Sequence, residues 1–146
     1  MEVIHDSRNT KMNEDQIKSK LTEALSRLYE NQVNLFAFTS QTHQTEWNLV
    51  NHLANEVRNI FPEFDCDVDV IKPNLGNKRP DIILHKRGTH SSNFLVIEVK
   101  RSESELAGDL DKTRQSWFGS ELNYQFGAVI AIMDNSFIIK VIKNLP

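Results

Sequence analysis

Phe94-Leu95-Val96-Ile97-Glu98-Val99-Lys100 is the stretch on which the fold turns. Alternate residues of a strand face opposite sides of a sheet. Here both sides are apolar up to Ile97, the pattern of a strand in the middle of a sheet covered on each face. Glu98 and Lys100 then share one side, with Ile97 and Val99 on the other. Charges at the end of such a strand are costly unless they are paired or hold an ion.

Working outward, Asp81-Ile-Ile-Leu-His85 reads as a short strand, joined to the first by a turn over Lys86 to Asn93 that carries Gly88 and two serines. Before it, Lys72 to Arg79 is a loop, with Pro73, Asn74, Gly76 and Asn77. Asp67-Val68-Asp69-Val70 alternates as a half-buried strand does. After Lys100 a helix is expected from Glu105 to Phe118, stopped near Gly119. A short piece at Leu122–Tyr124 fits helix or loop. A buried strand over Gly127 to Met133 follows, then a turn at Asp134-Asn135 and a last strand over Phe137 to Val141. Two helices precede the strands. Ile17, Leu21, Ala24, Leu25 and Leu28 set a helical stripe over Glu14 to Tyr29, with Asn13 as N-cap. Trp47, Val50, Leu53, Ala54, Val57 and Ile60 set another over Glu46 to Ile60, capped by Thr45 and ended by Pro62. The expected fold class is α/β, with a central mixed sheet of four to five strands flanked by helices in the order α-α-β-β-β-α-β-β.

At 146 residues the chain fits one domain over 1–146, with residues 1–12 irregular. Hydrophobic content of 39% and charged content of 25% fit a soluble globular protein. No apolar run suits a membrane span or a secretory signal, so a cytoplasmic location is expected. The single cysteine, Cys66, excludes an internal disulfide and a thiolate zinc site, and flanking Asp65 and Asp67 disfavour a reactive thiolate. The five histidines show no metal spacing, and glycine loops for phosphate and a G-x-S-x-G element are missing. A net charge of −3 argues against binding nucleic acid by bulk electrostatics, although residues 72–114 carry nine Lys/Arg against six Asp/Glu.

Asp81 opens the strand that precedes Glu98, and pairing of the two strands lets both carboxylates converge. Two carboxylates and a strand carbonyl make a hard oxygen site suited to Mg²⁺ or Mn²⁺. Such an ion activates water and offsets charge on a phosphate, while Lys100 orients or deprotonates the water and holds the phosphate. Pro80-Asp81, sixteen intervening residues, then Glu98-Val99-Lys100 resembles the signature of the PD-(D/E)XK nuclease superfamily, the restriction-endonuclease-like fold. The resemblance spans most of the chain: a helix before the sheet, the hairpin with the motif, a helix after Lys100 and a further buried strand.

The resemblance implies a metal-dependent nuclease acting on phosphodiester bonds, most often of DNA. Asp81 and Glu98 are its implied metal ligands and Lys100 its water-assisting residue, with an acidic residue of a preceding helix completing the site. Glu46 falls within roughly 20° of the mean apolar direction of its helix, while Glu56 lies roughly 100° away. Glu46 is therefore the expected fourth member. A polar residue on the later helix often faces such a site, and Lys112 and Gln115 share a helix face. Arg79, Lys78 and Arg101 are candidate phosphate ligands, with Lys86 and Arg87 also nearby in sequence. His85 shares a strand face with Asp81. The rival expectation is a catalytically inactive module of the same fold that binds nucleic acid or protein. A homodimer or a partner protein supplying target choice is also expected, with the first helix as a candidate contact.

Overall fold

The computed structural model describes residues 12–32, 35, 45–68, 80–88, 92–118 and 122–145, with the side chains of 45–47 excepted. Helix α1 spans Glu14–Asn31 and α2 spans Thr45–Ile60. Strands β1 (Asp65–Val68), β2 (Ile82–His85) and β3 (Leu95–Lys100) follow. A 3₁₀ turn at Glu103–Glu105 leads into α3 (Leu106–Thr113), which widens into a π-helical turn over Arg114–Phe118. Strands β4 (Phe126–Ile132) and β5 (Phe137–Lys143) complete the order. Thr45 lies within α2 rather than before it. The first strand begins two residues earlier than its alternation suggests, and Asp69 and Val70 lie outside the described residues.

The sheet has five strands in sequence order, β1 to β5. All neighbours are antiparallel except β3 and β4, which run parallel from Leu95↔Phe126 to Lys100↔Ala131. A parallel pair needs a long crossover. The segment carrying α3 supplies it and lays that helix over one face of the sheet. The other face receives α1 and α2. Ile82, Leu84, Leu95, Ile97, Val99, Ala128 and Ile130 point there, into a core shared with Leu21, Leu25, Leu49 and Leu53. Ile83 and Val96 point the opposite way, against Trp117, Phe118 and Tyr124, and Val129 and Ala131 pack with Leu106. Strand β3 is therefore buried on both sides, as its run of apolar residues requires.

Helix α1 starts at a capping box. Asn13 Oδ1 accepts from the Gln16 N–H and Gln16 Oε1 accepts from the Asn13 N–H, both at 2.8 Å. Its Ile17, Leu21, Ala24, Leu25 and Leu28 are fully buried. That stripe is spent on the core, so a partner contact through α1 would use its outer face. Cys66 is also a core residue: its thiol lies 3.7 Å from the Ala54 carbonyl, and burial pushes it up to about 11. Among the described residues no helix is long and apolar enough to cross a membrane.

Candidate functional site

The β2–β3 ladder pairs Ile82 with Ile97 and Ile83 with Val96. One step further along the same register, Asp81 stands opposite Glu98. Asp81 has the parity of Ile83, and Glu98 that of Val96, so both carboxylates rise from the α3 face of the sheet. Lys100 rises from that face too. The pairing that the two-residue alternation implies is thus present, and the three motif residues lie together.

Each carboxylate has one oxygen held by the protein. The Val99 N–H donates to Asp81 Oδ2 at 2.7 Å. The Trp117 indole N–H donates to Glu98 Oε2 at 3.2 Å, and the Lys112 ammonium lies 3.9 Å from that same oxygen. A strand residue directs its N–H and C=O to the same side. The Val99 carbonyl therefore faces the Asp81 edge as well, beyond the last β2–β3 pair. One further oxygen from each carboxylate, with this carbonyl, makes a hard donor set that fits a divalent cation. Among the described residues no group of three or more His, Cys, Asp or Glu side chains is placed to hold a metal. Among the described residues, what this site would offer an ion is a carboxylate pair plus backbone.

Electrostatics mark the pair as unusual. Glu98 is 3% exposed. Burial first, then the Asp81 charge, push its carboxyl up to about 7. Burial also raises Asp81, partly offset by the Val99 N–H and by Lys100 and Lys112. Two carboxyls in one buried site resist ionising together. A divalent cation between them would remove that conflict.

Lys100 is held differently from the sequence expectation. Its ammonium lies 3.3 Å from Asp109 Oδ2. Partial burial would lower its pKa, but Asp109, then Glu98 and Glu105, outweigh this and keep it above the ordinary lysine value. As held, Lys100 is a fixed cation. It suits orienting and charge stabilisation, not deprotonating water.

Helix α3 delivers its groups through the π turn. Lys112 and Trp117 are five residues apart, which in an undistorted α-helix places them about 140° apart. The wider i→i+5 turn brings them back to one side. The same change of register carries Gln115 away. It is exposed and does not join the carboxylates, so of the two candidates on this helix only Lys112 reaches Glu98. Gly127 allows the close approach: a Cβ there would run into the Thr113 methyl and lie 3.3 Å from the Phe118 ring.

The remaining candidates are dispersed. Arg101 follows Lys100 and so points to the opposite face, where it donates to the Ile132 carbonyl and Asp134, both at 2.7 Å. Its guanidinium is committed to the end of β4 and not brought to the carboxylates. Lys86 donates to the Glu63 carbonyl and lies over the Phe64 ring. Arg87 and His85 both bind Asp67, so His85 serves the β1–β2 edge and not the Asp81 end. Lys78 and Arg79 lie outside the described residues, as does the Glu46 side chain. Helix α2, which carries Glu46, packs on the Ile97–Val99 face. Glu56 accepts from Asn31 at 3.2 Å. A cleft of about 520 Å³ between α1 and β5, and another of about 480 Å³ beside Arg114 and Lys143, contain none of the motif residues.

Two members went unrecognised in the sequence, Asp109 and Trp117. Both leave a trace there. Asp109 falls on the same helical stripe as Leu106, Leu110 and Thr113, where a carboxylate needs a partner. A buried tryptophan needs an acceptor for its N–H. No protein-family model, curated protein or solved structure matches the chain.

Proposed function

We propose that the protein is a metal-dependent nuclease of the restriction-endonuclease-like kind, hydrolysing phosphodiester bonds, with DNA as the substrate the motif resemblance favours. One observation carries the reading: half-buried Asp81 and buried Glu98 stand opposite each other on one face, burial pushes both carboxyls up, and cationic Lys100 lies two residues beyond Glu98. The order of elements supports it, since a helix precedes the hairpin and the α3 crossover leads to a parallel strand.

Asp81 and Glu98 hold Mg²⁺ or Mn²⁺ in this reading, with the Val99 carbonyl; Glu46 is the further acidic ligand that the resemblance suggests. The ion supplies activation of a water and neutralises charge developing on the phosphate. Lys100 orients the phosphate and the attacking water by charge and hydrogen bonding. Trp117 and Lys112 fix Glu98 Oε2, which leaves the other oxygen free to face Asp81. Val99 fixes Asp81 in the same way. Lys78 and Arg79, adjoining Pro80 in sequence, are proposed phosphate contacts.

The test is incubation with supercoiled, linear, single-stranded and branched DNA and with RNA, in Mg²⁺, Mn²⁺ or EDTA. The expected result is cleavage that EDTA abolishes and that Asp81→Ala and Lys100→Met remove. Cleavage that survives both substitutions would refute the assignment. Binding of nucleic acid without cleavage under any condition would point to the inactive module of this fold.

A further inference from the structure

Among the described residues, Lys100 and Lys112 face the carboxyls of Asp81, Glu98 and Asp109 on the α3 side of the site. The lysines are partitioned between the acids. Lys112 lies against Glu98, and Lys100 lies against Asp109. This division is not the one the backbone favours. Glu98 and Lys100 are two residues apart on one strand face, a spacing of about 6.6 Å that a lysine side chain spans with ease. Unrestrained, Lys100 would fold onto the Glu98 carboxylate and compete with any cation there.

Asp109 is placed to prevent it. It comes from the first turns of α3, its side chain is 13% exposed, and Lys100 is the cation it meets. Its Oδ2 is buried and makes no hydrogen bond of good geometry. A buried carboxylate oxygen served by one ion-pair contact is expensive. Asparagine would fill the same space without that cost. The charge therefore has a use, and among the described residues the group it meets at contact distance is Lys100.

Resting on the metal-centre reading above, we infer that Asp109 is a positioning residue that holds the Lys100 ammonium off Glu98, so that the Asp81–Glu98 pair stays open to a divalent cation while Lys100 remains available to the phosphate.

The test is a double-mutant cycle read by Mn²⁺ binding, followed by electron paramagnetic resonance of the free ion, with circular dichroism confirming that each variant is folded. Asp109→Asn is expected to weaken Mn²⁺ binding about tenfold, because Lys100 collapses onto Glu98. Lys100→Met alone is expected to leave affinity near that of the parent. The double substitution is expected to recover parental affinity, and Asp109→Glu to retain it. That non-additive pattern separates restraint of Lys100 from a distant charge effect, in which the two changes would simply sum. Parental affinity in Asp109→Asn, a deficit that persists in the double variant, or simple additivity would each overturn the inference and leave the nuclease reading standing. Failure of the parent protein to bind Mn²⁺ would overturn both.

Discussion

Strand β2 begins beside one carboxylate cluster and ends at another, and the two are built on opposite plans. At its end, Asp67 is saturated: Arg87 donates to both its oxygens and His85 lies 2.7 Å from one of them. The Arg87 bond comes first among the causes that hold Asp67 down, to about 2, against a partial burial that works the other way. At its start, Asp81 and Glu98 have few donors, face each other, and are pushed up by burial. A protein that wanted only to pin its strands together would build the first cluster twice. The second cluster costs stability as it stands, a cost that the proposed metal site would put to use.

The largest effect that tests this contrast is on catalysis. Asp81→Ala or Lys100→Met is expected to reduce metal-dependent cleavage by about 10³-fold or more, the scale of losing a charge-stabilising group from an active site. Asp67→Asn is expected to leave the rate within about threefold, since its partners serve β1 and the turn after β2. Cleavage rates of the three variants on one DNA substrate measure it. Comparable losses at Asp67 and Asp81 would erase the distinction between the clusters.

Next in size is stability. Glu98 has a native pKa raised from 4.5 to about 7, so the folded state holds its proton more tightly than the unfolded chain does. Ionisation therefore costs stability as pH rises through that window. Glu98→Gln keeps an acceptor for the Trp117 indole and removes the charge. It is expected to stabilise the metal-free protein by about 1–3 kcal/mol at pH 8, with the gain fading toward pH 5. Urea unfolding at the two pH values measures it. A variant less stable than the parent at pH 8 would mean that the Glu98 charge is already compensated.

A smaller effect is on metal affinity. Above pH 7 the Glu98 carboxyl is ionised and the cation meets no competing proton on it. Below it one proton must leave, so Mn²⁺ affinity is expected to fall about tenfold per pH unit as pH drops from 7 to 6. Titrations at pH 6 and pH 8 check this. A flat profile would place the bound ion away from Glu98.

How much of this was legible before the structure depends on the distance over which each feature is decided. The grouping of Asp81, Glu98 and Lys100 was legible because it rests on the two-residue period of a strand and one short hairpin, and needed only parity and register. Among the described residues, five strands and three helices followed from apolar spacing in the same way, most ends displaced by one or two residues, while α3 gives way to the π turn five residues before its expected end. Parity also separates Arg101 from Lys100, a consequence that nearness in sequence obscured. What lay beyond local reasoning depended on the crossover. Whether Lys112 meets Glu98 with Gln115 or with Trp117 depends on the π turn after Thr113, and that turn depends on packing against Gly127. The pairing of Lys100 with Asp109 likewise exists only once α3 lies over β3. His85 shares a face with Asp81, yet the sequence does not reveal that Asp67 takes it up from the neighbouring strand.

The smallest predicted effect concerns Asp67 itself and fixes the other end of the contrast. Its native pKa lies below the ordinary 3.8, at about 2, so its charge contributes stability above pH 4 that is lost as pH falls toward 2. This is the opposite sign to Glu98. Arg87 is exposed and water screens the pair, so the contribution is small. Asp67→Asn is expected to lower the melting temperature slightly at pH 7 and to match the parent near pH 2, where the parent has lost the charge too. Melting curves across pH 2 to 7 measure the difference. A deficit that stays constant across that range would assign the role of Asp67 to packing in place of charge. It would then remove the electrostatic half of the comparison while leaving the Asp81–Glu98 pair untouched.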